Sequence, residues 1–127
     1  MKTNKTTLVP FEYTINEKKK TVMYSVMAHG KMFIGKATCG ENDTFDVETG
    51  KVIAHMRAIL AQRKFDLELT RSFIATLKTI SQNATSWGDI LSPHYMRSIQ
   101  IACEEEKAQL EHIRDLKMRL DEVCNNH

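Results

Sequence analysis

Acid–base chemistry needs paired carboxylates or a histidine held by an acid. This chain offers two dense acidic groups, Glu41-Asn42-Asp43 with Asp46 and Glu48, and Glu104-Glu105-Glu106. The first sits where a helix should begin, so capping accounts for it. The second lies in a segment charged on all sides, the pattern of a solvated helix. Cys39, Cys103 and Cys124 are widely spaced, and with His29, His55, His94, His112 and His127 they form no CxxC, HxxxH or CxxH pair. Reduced thiols, no metal site and no cofactor are expected. There is no GxSxG elbow, no HExxH and no phosphate-cradling glycine loop. Gly50-Lys51 could present an amide and a lysine to an anion, but acids flank it. The expectation is a protein that is not an enzyme and has no catalytic residues.

Basic residues form the more coherent set. Lys18, Lys19 and Lys20 crowd one turn, Lys31 and Lys36 follow on strand-like sequence, and Lys51 opens a helix, which makes these six the candidates for nucleic-acid contact. The formal net charge is only +2, so such binding would depend on a local patch. Tyr13, Tyr24 and Phe33 could stack on bases, yet aromatic residues on strands more often fill a core. A ligand pocket between sheet and helix would hold His55, Arg57 and Trp87, although Trp87 reads first as a core plug.

The elements that must position these residues follow from hydropathy patterning. A chain of 127 residues with 42% apolar and 27% charged residues fits an ordinary globular protein. Leu8 to Ile15 reads as a first strand that Pro10 confines to an edge or delays. Thr21 to Ala28 alternates Val22, Tyr24, Val26 and Ala28 against Met23, Ser25 and Met27, and Lys31 to Cys39 follows the two-residue connection His29-Gly30. Both connecting positions tolerate positive φ, so a tight primed turn and an antiparallel meander are expected. Asp43 or Asp46 caps the next helix, in which Val52, Ile53, Met56, Ile59 and Leu60 should face the sheet while Lys51, His55 and Gln62 look outward. The pattern falters around Arg63 to Asp66 and resumes from Leu67 to Ile80, as one kinked helix or two.

Ser92-Pro93 has the form of a helix start. From there Ile99, Cys103, Leu110, Ile113 and Leu120 fall at three-, four- and seven-residue steps, a seam suited to a second copy of the chain or to the Leu67 to Ile80 helix of the same chain. The fold class is therefore α+β: a three-stranded antiparallel meander covered by a helix, then a helical region with a long C-terminal amphipathic helix. Residues 1–91 form the core domain, and 92–127 form the long helix used for packing or for a homodimer. No run approaches the ~20 apolar residues of a membrane span, and the N-terminus lacks an apolar leader, so a cytoplasmic location without membrane contact is expected.

At Gly35-Lys36-Ala37-Thr38-Cys39, then Asp43-Thr44-Phe45-Asp46-Val47-Glu48-Thr49-Gly50-Lys51, Ala54 and Arg57-Ala58, the chain resembles small phage and prophage proteins. These pair a strand ending in GKAxC with a DxFDxExGKxxAxxRA helix. The strand order is also similar to the later part of a double-stranded-RNA-binding domain. Such domains add a helix before the first strand and a KKxAK cluster at the start of the last helix, and both are missing here, so the RNA contacts do not carry over. The phage resemblance implies a binding module that inhibits a host defence protein or nucleoprotein complex, anti-CRISPR-like, in the host cytoplasm. Glu104, Glu105 and Glu106 would then meet a basic channel on the partner. The competing expectation is direct binding of double- or single-stranded nucleic acid through the lysines.

Overall fold

The computed structural model describes residues 9–40, 46–83 and 88–125. Strands β1 (Tyr13–Asn16), β2 (Thr21–Ala28) and β3 (Lys31–Thr38) form one antiparallel sheet in the order β1-β2-β3. Helices α1 (Val47–Asn83) and α2 (Gly88–Asn125) follow, so the fold is α+β with a long C-terminal helix. Two compact units can be distinguished. One gathers the sheet, α1 as far as Gln62 and α2 from Leu116 onward; the other is Arg63–Asp115.

The sheet is built by its turns. His29 and Gly30 have φ of 56° and 70°, the values of a primed two-residue turn whose twist matches the strands it joins. It sets the register Val22↔Ala37, Tyr24↔Gly35 and Val26↔Phe33, and all six residues point to the same face. Between β1 and β2 the turn Glu17–Lys20 is closed by Asn16 Oδ1, which accepts from the Lys19 amide at 3.1 Å, and by Lys20 at φ 54°. β1 starts later than the hydropathy pattern suggests. Phe11 turns the chain at φ 66° just after Pro10, and its amide donates to the Ser25 carbonyl at 2.6 Å. Ser25 Oγ donates to the Val9 carbonyl at 2.7 Å, so segment 9–12 lies over Ser25 and buries it. Leu8 lies outside the described residues.

Asp46 caps α1: its Oδ1 accepts from the Glu48 amide at 3.1 Å and its Oδ2 from Thr49 Oγ1 at 2.6 Å. Asp43 lies outside the described residues. The face that α1 lays on the sheet is not the expected one. Val52 is 46% exposed, while Ala54 and Ala58 are fully buried with Gly50 one turn before them. Small residues every fourth position make a flat track, and a flat track lets the helix backbone come down onto the strand. A methyl group added to Gly35 would strike the Ala54 carbonyl oxygen and the Ala58 amide, and one on Gly50 would lie 2.8 Å from Val22 Cγ2. The larger apolar side chains flank this contact.

Of two helix boundaries, the pattern leaves one open and the other differs from expectation. α1 is one uninterrupted helix through residues 63–66, where the apolar rhythm breaks but no glycine or proline stops the backbone. α2 begins at Gly88 and holds Pro93 inside it. Near a helix start the proline forfeits one backbone hydrogen bond while its ring holds φ at the helical value. Trp87, expected to plug the core, lies outside the described residues.

Gly35→Ala is expected to cost about 3 kcal/mol, because the added carbon meets backbone that cannot rotate away. Gly30→Ala, with open space around it but positive φ, should cost about 1 kcal/mol. Urea denaturation of the two variants beside the parent checks both the order and the gap.

Candidate functional site

The register decides where the six lysines lie. β2 and β3 run antiparallel with Thr21 opposite Thr38 and Ala28 opposite Lys31. Lys18, Lys19 and Lys20 therefore stand at one end of the hairpin and Lys31 at the other, roughly 23 Å apart at ~3.3 Å per residue. Lys36, opposite Met23, points away from the face that carries Val22 and Ala37. Lys31 Nζ lies 5.6 Å from the Phe33 ring centroid. Lys51 Nζ sits 5.4 Å from the Tyr13 ring and 3.7 Å from Glu48 Oε2. The fold distributes these lysines over both ends and both faces of the sheet and brings none of the separate groups together into one groove.

What it does assemble is a short ladder of rings along the β1 side. Tyr13 and Tyr24 are cross-strand partners with centroids 4.7 Å apart, and His55 stacks on Tyr24 at the same separation. His55 was expected to look outward; the Gly50, Ala54 and Ala58 track turns it onto the sheet instead. Burial raises the Tyr13 phenol above its ordinary value, and the neighbouring Tyr24 and Glu48 push it the same way. Pairing of Tyr13 with Tyr24 becomes visible only once the strand register is known.

On the other border of the sheet, Arg57 Nη1 donates to the main-chain oxygen of Lys36 at 2.7 Å, and Nη2 to Cys124 Sγ at 3.8 Å. Of the residues considered for a pocket, His55 is thus packed on Tyr24 and Arg57 is engaged with β3 and α2, while Trp87 lies outside the described residues. Cys39, Cys103 and Cys124 form no disulfide, and all three are half-buried. Among the described residues no group of three or more His, Cys, Asp or Glu is arranged to hold a metal ion, and no helix is long and apolar enough to cross a membrane.

In the Arg63–Asp115 unit, Leu67, Ile74 and Leu77 on α1 and Ala102 and Ile113 on α2 are buried. Arg71 Nε donates to Glu106 Oε2 at 2.7 Å and links the two helices. Of the acidic trio, Glu106 is therefore used inside the chain, while Glu104 and Glu105 are exposed. Of the α2 seam, Ile113 is buried, and Ile99, Cys103, Leu110 and Leu120 are half-buried within the single chain. The side of α2 turned away from Ala102 and Ile113 exposes Met96 at 60% and Ile101 at 55%, and an open groove there is lined by these two with Arg97, Gln100 and Glu104.

No family model, no curated protein and no solved structure matches the chain.

Tyr13 should ionise above the ordinary phenol range, and Tyr13→Phe should remove a step above that range from an ultraviolet phenolate titration. A folded-state value raised above the unfolded one stabilises the protein below the unfolded pKa. That increment is lost as pH rises through the folded value, so the parent should lose more stability than Tyr13→Phe in strongly alkaline solution.

Proposed function

We propose that this chain is a non-enzymatic binding module of phage type that docks on a host defence protein or nucleoprotein complex and inhibits it by occlusion. The observation that supports this reading most directly is the outward face of α2. There two large apolar side chains, Met96 and Ile101, stand exposed beside the free carboxylates of Glu104 and Glu105. Apolar anchors bordered by charge are what a protein interface uses: the anchors supply desolvated contact, and the carboxylates steer toward a basic partner surface. A channel built to hold nucleic acid is such a surface. The scattered lysines give less support to direct nucleic-acid binding, which needs several cations along one backbone path.

The test is plaque formation by a phage that an RNA-guided nuclease otherwise restricts, in cells making this chain. The parent should rescue the phage, and the pair Glu104→Lys with Glu105→Lys should reduce rescue at least tenfold while circular dichroism stays unchanged. Glu106 is left in place because Arg71 depends on it. Rescue that is indifferent to the double reversal would remove the α2 face from the mechanism. Light scattering with a mixed-sequence duplex covers the other reading: binding that weakens steeply with salt would replace protein docking by nucleic-acid binding.

A further inference from the structure

We draw no further inference here: the strongest candidate, the apolar surface patch on α1 where Leu69, Phe73 and Ile80 are exposed, carries nothing, because nothing in the structure shows what covers it.

Discussion

Everything in the sheet-bearing unit depends on how closely α1 can approach β3. Gly35 has no side chain at the point where the Ala54 carbonyl and the Ala58 amide come down, and Val22 packs under Gly50 on the neighbouring strand. Helix and sheet are in backbone contact there, with methyl groups as the only spacers. This fixes both the height and the rotation of the helix. Once Gly50, Ala54 and Ala58 point down, Val52 must be exposed, His55 must reach Tyr24, and Arg57 must reach the border of β3. A three-stranded sheet has little apolar area to bury, so a close, dense contact makes up for what extent cannot supply.

The other unit is held differently. Most of its buried positions are larger, Leu67, Ile74 and Leu77 on α1 and Ile113 on α2, and one ion pair between Arg71 and Glu106 links the two helices. A pair with one partner about half exposed contributes little to stability, on the order of 0–1 kcal/mol, and serves better to choose which face of α2 meets α1. That choice leaves Glu104 and Glu105 toward solvent with Met96 and Ile101. Two helices cannot enclose a core between them without leaving their outer flanks apolar or charged, and here one flank is apolar on α1 and mixed on α2.

The parts of this fold that were legible in the sequence are those governed by local rules. His29-Gly30 could only reverse the chain tightly, and Asp43 or Asp46 ahead of Glu48 marked a helix start. The facing of α1 was hidden because counting large apolar residues points to Val52, Ile53 and Met56, whereas contact with a sheet at this distance selects for the smallest side chains. Ser92-Pro93 misled in a similar way: a good start signal does not forbid the helix from beginning five residues earlier. For the candidate surfaces, adjacency in sequence grouped the lysines, but the two-residue period of a strand and the length of the hairpin set them apart. Exposure of Leu69, Phe73 and Ile80 was likewise out of reach, since the same spacing would serve an intramolecular seam.

The borders of the sheet bear on its behaviour in a crowded cell. A flat strand with an open row of amides and carbonyls templates the addition of further strands, and from there cross-β growth. On β3 a guanidinium occupies one of those carbonyls, held by a residue of α1 whose other nitrogen reaches α2. On β1 the strand is four residues long, bent at Phe11 on one side and followed by three consecutive lysines on the other. Neither border offers a straight, uncharged length for fibril nucleation. The same arginine that joins β3 to the last turn of α2 thus also acts as a guard against amyloid-like polymerisation.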